Sequence, residues 1–115
     1  MGYAPNRGDA VWLNFDPQSG REQAGRRPAL VLSPAAYNER VGLVIACPIS
    51  SRVKGYAFEV KIPTGLRVNG VILADHVKSA DWRTRQIEFI CRLPDHVVDR
   101  VTRKLAVLLK PTVTD

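Results

Sequence analysis

The chain has 115 residues, 45% of them apolar, which fits one domain around one buried core and excludes a disordered chain. No apolar run approaches the ~20 residues that cross a bilayer, so a membrane-spanning helix is excluded. Lysine and arginine (17) outnumber aspartate and glutamate (11), and the net charge of +6 gives a positive field suited to polyanions, nucleic acid foremost. Arginine outnumbers lysine, and its planar fork suits phosphate oxygens better than an ammonium does. The opening segment MGYAPNRGDAV lacks the charged-then-apolar layout of a secretion signal, which makes cytoplasmic residence the expectation. Two cysteines, Cys47 and Cys91, are too few and too far apart for a disulfide scaffold or a thiolate metal site.

Asp9–Phe15 alternates, with Val11, Leu13 and Phe15 on one face, and reads as a strand with Phe15 in the core. Asp16-Pro-Gln-Ser-Gly-Arg-Glu-Gln-Ala-Gly-Arg-Arg27 follows, a long polar loop of the kind that is either disordered or functional. Short apolar strands are expected at Pro28–Ser33, Leu43–Ile49 and Phe58–Ile62, the last after a Lys54-Gly-Tyr56 turn. Two more are expected at Gly70–Ala74 and Gln86–Cys91. The period then changes. Val97, Val98, Val101, Leu105, Leu108 and Leu109 recur at three-to-four spacing between Pro94 and Pro111, which predicts an amphipathic helix over 94–109. Five or six strands followed by one terminal helix indicate a mainly β chain, a small, partly closed antiparallel barrel capped by that helix. There is no repeat or linker, so residues 1–115 form one domain, its barrel core about 8–91.

His76 and His96 stand apart, and no His/Cys/Asp/Glu cluster has ligand spacing, so neither a metal nor another cofactor is expected. Asp75-His76 is a tempting pair, but a satisfied surface or half-buried histidine explains it as well. There is no phosphate-cradling P-loop and no Gly-x-Ser-x-Gly elbow. Cys47 and Cys91 sit in apolar strand contexts, where a thiol behaves as a small hydrophobe. What remains is the long loop and the strand after it. Glu22 lies five residues before Arg27, and the strand 43–49 ends at Pro48-Ile-Ser-Ser51, which offers hydroxyls at a strand terminus. Glu22, Arg27 and Ser50 could surround one phosphodiester. Metal-free RNA cleavage needs a base for the ribose 2′-hydroxyl, a cation on the pentavalent phosphorane and a proton for the leaving 5′-oxygen. A solvated loop with an ordinary surface ion pair accounts for the same spacing.

Five segments at matching spacing resemble the MazF/PemK family of toxin–antitoxin ribonucleases. They are Gly8–Pro17, Glu22–Ser33, Pro48-Ile-Ser50, Lys54–Val60 and Gly70–Ser79, followed by Asp81-Trp-Arg83, and the match runs in order from Gly8 to about Arg85, about two thirds of the chain. The resemblance implies an SH3-like barrel, a homodimer, and sequence-specific, metal-independent cleavage of single-stranded RNA that arrests growth. It further implies 2′,3′-cyclic phosphate and 5′-hydroxyl ends, and a cognate antitoxin whose acidic, hydrophobic tail occupies the RNA groove. The family's key arginine falls on Arg27, its loop glutamate on Glu22, and a threonine that many members carry falls on Ser50. His76 stands where relatives often have glutamine, and Arg26 where some have histidine.

On this reading Arg27 stabilises phosphorane charge, since a guanidinium is a reluctant acid. Glu22 is the general base, and Ser50 holds a non-bridging oxygen. Arg26 and Lys54 are candidate RNA-backbone contacts, solvated surface charge being the alternative. Tyr56 is a candidate stacking platform, while Trp82 fits either a stack or the core. Two other classes stay open: a barrel toxin that poisons a protein such as DNA gyrase, and a non-catalytic RNA-binding barrel.

Overall fold

Strand β1 (Asp9–Asn14) is apolar on both faces, because the sheet it enters is covered on both sides. Val11, Leu13 and Phe15 point into one cluster and Ala10 and Trp12 into the other. The computed structural model describes residues 2–16, 20 and 25–111. After β1 come β2 (Arg26–Val31), helix α1 (Ala35–Val41), β3 (Leu43–Ser50), β4 (Glu59–Lys61) and β5 (Val71–Leu73). A 3-10 turn (Ala74–His76), β6 (Lys78–Asp81), β7 (Glu88–Arg92) and helix α2 (Asp95–Leu109) complete the chain.

All strand pairs are antiparallel, in the order β4-β5-β3-β2-β1-β7. The eight-residue β3 organises the sheet: residues 46–48 pair with β2, 43–46 with β6, and 49–50 with β5. β7 and β4 each pair with one neighbour among the described residues, so the expected small antiparallel barrel is coiled but open. The alternation of β2 and β3 divides the core. Ala29, Val31, Val44 and Ala46 fall on the Phe15 side, and Leu30, Cys47 and Ile49 on the α2 side.

The terminal helix forms where expected, between Pro94 and Lys110, but only Val97, Val98 and Val101 are buried. Leu105 is half-buried, and Val107, Leu108 and Leu109 are exposed, so the predicted apolar stripe outlasts its contact with the sheet. Two elements lie outside the expected set. Helix α1 has one buried residue, Asn38, so it lacks the apolar stripe that reveals a helix in sequence. It docks through polar groups instead. Asn38 donates to the carbonyls of Pro5 (2.8 Å) and Ser33 (2.9 Å) and accepts the Ser33 hydroxyl (2.6 Å). The buried Trp82 donates its indole N–H to the Asn38 carbonyl (2.9 Å), which places Trp82 in the core, as the burial of Phe15 places that ring. Strand β6 is four residues with a single buried side chain, Ala80, and its pairing with β3 forms it.

The β3–β5 seam shows why Gly70 is glycine. Its φ is +105°, and a Cβ there would meet the Ser50 carbonyl, with the carbonyl carbon 2.9 Å away. Gly70→Ala is therefore expected to lower the unfolding free energy by about 2–4 kcal/mol, from backbone strain plus a clash that a backbone atom cannot yield to. Urea denaturation measures it, and an unchanged midpoint would show that the seam relaxes.

Candidate active site

The β2–β3 register fixes the centre of the site. Ala29 faces Pro48, Leu30 faces Cys47 and Val31 faces Ala46. The ladder ends at Ala29 and Pro48, and two residues beyond it stand Arg27 and Ser50, which strand alternation puts on the face that carries Ala29 and Ala46. Both line one open groove of about 920 Å³. The Ser50 hydroxyl accepts the Arg52 N–H (3.1 Å), so its own hydrogen is available to donate outward.

The loop 51–58 forms the cationic wall of this groove with Arg52 and Lys54. Its shape is set from below. The Glu59 carboxylate accepts the N–H groups of Gly55 (2.8 Å) and Lys54 (3.1 Å), one on each oxygen. Gly55 takes a φ of +85° to make that turn. From α2, Lys104 Nζ donates to the Ala57 carbonyl (2.5 Å). Tyr56 donates its hydroxyl to Asp75 Oδ1 (2.7 Å). Partial burial, then the hydrogen bond and charge of Asp75, push this phenol up to about 12, so it remains a protonated donor at neutral pH.

Opposite the loop, the 3-10 turn presents Asp75 and His76 to the groove. The turn is held by the Ala74 N–H on the Phe58 carbonyl (3.0 Å) and by the Cys47 thiol on the Ala74 carbonyl (3.7 Å). Burial first, and Asp75 second, push the Cys47 thiol up to about 12, so it stays protonated and structural.

The structure thus brings together Arg27, Ser50, Lys54 and Tyr56. Arg26 goes elsewhere. It bonds Glu88 Oε1 (2.9 Å), lies 5.3 Å from the centre of the Trp12 ring, and lines a neighbouring cleft of about 360 Å³ that Arg27 also borders. Glu22 lies outside the described residues, but the base of its loop is defined. Asp16 Oδ1 accepts the Gly25 N–H (2.8 Å), Phe15 N–H donates to the Gly25 carbonyl (2.8 Å), and Arg85 donates to the Asp16 carbonyl (2.6 Å). Asp16 and Gly25 are therefore held together, with Gly25 two residues before Arg27. Sequence reasoning missed Arg52, Glu59 and Asp75 as groove residues. Asp75 stood beside a noticed histidine, but Glu59 looked like any polar position of an alternating strand. Among the described residues no group of three His, Cys, Asp or Glu side chains is arranged to hold a metal ion.

The family of PemK-like, MazF-like toxins of type II toxin–antitoxin systems matches residues 6–109. The chain belongs to this family. It is 51% identical to the endoribonuclease toxin MazF of Escherichia coli (strain K12) over 83 residues, 72% of this chain and 74% of that one. MazF from Deinococcus radiodurans superposes with a TM-score of 0.93 at 56% identity, covering 96% of this chain and 100% of that one. A MazE–MazF crystal structure from the same organism superposes at 0.85 with 51% identity, over 96% of this chain and 100% of that one. The MazF-like fold thus extends through α1 and β6, the elements that local pattern did not reveal.

The thiol environment is open to a direct check. Native protein is expected to take up at most one equivalent of a thiol reagent at pH 8, at the half-buried Cys91, and two after unfolding. Labelling of Cys47 should accelerate only as pH climbs toward 12. Rapid uptake of two equivalents by the native state would contradict the seal between β3 and the 3-10 turn.

Proposed function

We propose that this endoribonuclease toxin cuts single-stranded RNA at a short recognised sequence by attack of the ribose 2′-hydroxyl, without calling on a metal. The observation that carries the reading is that Arg27 and Ser50, each two residues past the end of the β2–β3 ladder, line one groove walled by Arg52 and Lys54. The 2′-oxygen bonds to phosphorus as its proton passes to a base, and the bond to the 5′-oxygen breaks as that oxygen gains a proton. The products are a 2′,3′-cyclic phosphate and a 5′-hydroxyl. DNA, lacking the internal nucleophile, is spared. Arg27 supplies positive charge to the equatorial oxygens of the phosphorane, and Ser50 donates a hydrogen bond to one of them. Glu22 is the base we assign, on its match to the family's loop glutamate and on the closed neck that returns its loop to Arg27. Arg52 and Lys54 neutralise flanking phosphates, and the exposed Tyr56 ring offers a base a face to stack on. Arg26 reaches the RNA backbone from the neighbouring cleft.

The same basic groove suits an acidic peptide, and the Deinococcus radiodurans relative is seen with MazE. We assign this chain a cognate antitoxin whose acidic tail competes with RNA there. A homodimer fits the exposed Phe89 and Tyr3 rings, which meet at a tilt of 57° with centres 5.6 Å apart. No helix among the described residues is long and apolar enough to cross a membrane; the cytoplasm is the site of action we assign, since the proposed RNA substrate is found there. We read residues 1–115 as one domain, its barrel core about 8–91 and its helix about 94–109, a reading supported by the core that α2 shares with the sheet.

The test is cleavage of a long single-stranded RNA in EDTA, with the ends mapped. Wild type should cut at a recurring short sequence. Arg27→Ala should lose about 10²–10³-fold in rate and Ser50→Ala about tenfold, with growth inhibition falling in the same order. A folded Arg27→Ala protein that cuts at the wild-type rate would overturn the assignment. Growth arrest without cleavage by wild type would move the target to a protein such as gyrase.

A further inference from the structure

We infer that His76 is a base-reading residue, which together with the Tyr56 ring selects one nucleotide beside the cut; this rests on the ribonuclease reading above. The polar side chains of the groove divide by what they are already doing. Both oxygens of Glu59 are occupied by loop N–H groups, and one oxygen of Asp75 holds the Tyr56 hydroxyl. Arg52 and Lys54 are long cations on an exposed loop, suited to phosphate rather than to a base edge. Arg27 and Ser50 line the groove at the proposed reacting centre. His76 differs from all of these. It is half-buried and sits on a rigid floor, the 3-10 turn, whose first residue Ala74 is fully buried and bonded through both its N–H and its carbonyl. Among the described residues neither of its ring nitrogens enters a hydrogen bond or ion pair.

A neutral imidazole offers one donor and one acceptor, which matches the mixed Watson–Crick edge of an unstacked base. The aromatic face for such a base stands across the groove. Tyr56 is 38% exposed, and its hydroxyl donates to Asp75, the residue next to His76, which ties the ring to the turn that carries the imidazole. Asp75 is thus a positioning residue acting through Tyr56, and His76 is the group that touches the base. A base reader on a rigid element, beside phosphate contacts on a looser loop, lets the identity of one residue set sequence preference without disturbing cleavage chemistry.

The experiment compares cut-site maps on one long, mixed-sequence RNA for wild type, His76→Ala and His76→Gln, with thermal denaturation confirming that each is folded. His76→Ala should reduce the preference for the favoured base at one position flanking the cut by roughly tenfold, leaving the other positions unchanged. His76→Gln, which keeps a donor and an acceptor in a different geometry, should retain selectivity at that position but rank the bases differently. A merely structural histidine would slow cutting evenly at every site. Wild-type cutting at a defined sequence with an identical preference in both variants would overturn the inference alone. A wild type that cuts no RNA would overturn the ribonuclease reading and this inference with it.

Discussion

An antiparallel register has no half-measures: a slip by one residue sends every side chain of a strand to the opposite face. In this chain that constraint acts on β2 and β3, and most of the structure serves to hold it. Leu30 and Cys47 lock the α2 side of the pair, while Ala29, Val31, Val44 and Ala46 lock the other. With both faces apolar, a slipped register would expose buried surface on one side and bury Arg27 on the other. The reacting centre we propose lies two residues past the end of this pairing, where the core ends and solvent begins. Arg27 and Ser50 are therefore placed by packing that neither residue contributes to.

β3 is also the strand on which the rest of the groove converges. Its far edge carries β5 and β6 in turn, and the 3-10 turn between them lifts Asp75 and His76 to the level of Ser50. Gly70 lets β5 approach closely enough for this, because no side chain intervenes between it and the Ser50 carbonyl. The opposite wall is built differently. The loop 51–58 buries almost nothing and is shaped by polar ties, from Glu59 below, Asp75 across and Lys104 from the helix. A rigid floor with an adjustable cationic wall suits a polymer whose phosphates are alike and whose bases are not.

Much of this was legible from sequence, for physical reasons that differ by element. The strands expected at 9–15, 28–33, 43–49, 58–62, 70–74 and 86–91 could be read because β-branched and apolar residues cluster or alternate there. The structure shifts their ends by one or two residues, opening β2 with Arg26 and Arg27, which by pattern belong to the polar loop. Helix α2 showed through Val97, Val98 and Val101 at helical spacing. Helix α1 did not, since it is fastened by the amide of Asn38 rather than by an apolar face, and such bonds leave no period. Strand β6 exists because β3 offers it an edge, which is a tertiary fact. The site divides in the same way. Arg27, Ser50, Lys54 and Tyr56 were found from motif and chemistry, and the fold gathers them. Arg26 was one residue out of phase and faces Glu88 and Trp12, a consequence of the two-residue strand period. Glu59 and Asp75 were invisible as groove residues because their roles depend on which strands become neighbours.

The central claim is that Arg27 and Ser50, brought into one groove just past the end of the β2–β3 ladder, hold a single scissile phosphate. The most direct measurement is a crystal structure of the protein with an RNA carrying its mapped recognition sequence, with a 2′-O-methyl group on the nucleotide that would attack. The account predicts that the phosphate following this nucleotide lies between the Arg27 guanidinium and the Ser50 hydroxyl, within hydrogen-bond distance of both. A scissile phosphate bound elsewhere, with Arg27 and Ser50 touching only flanking backbone or no RNA at all, would contradict it.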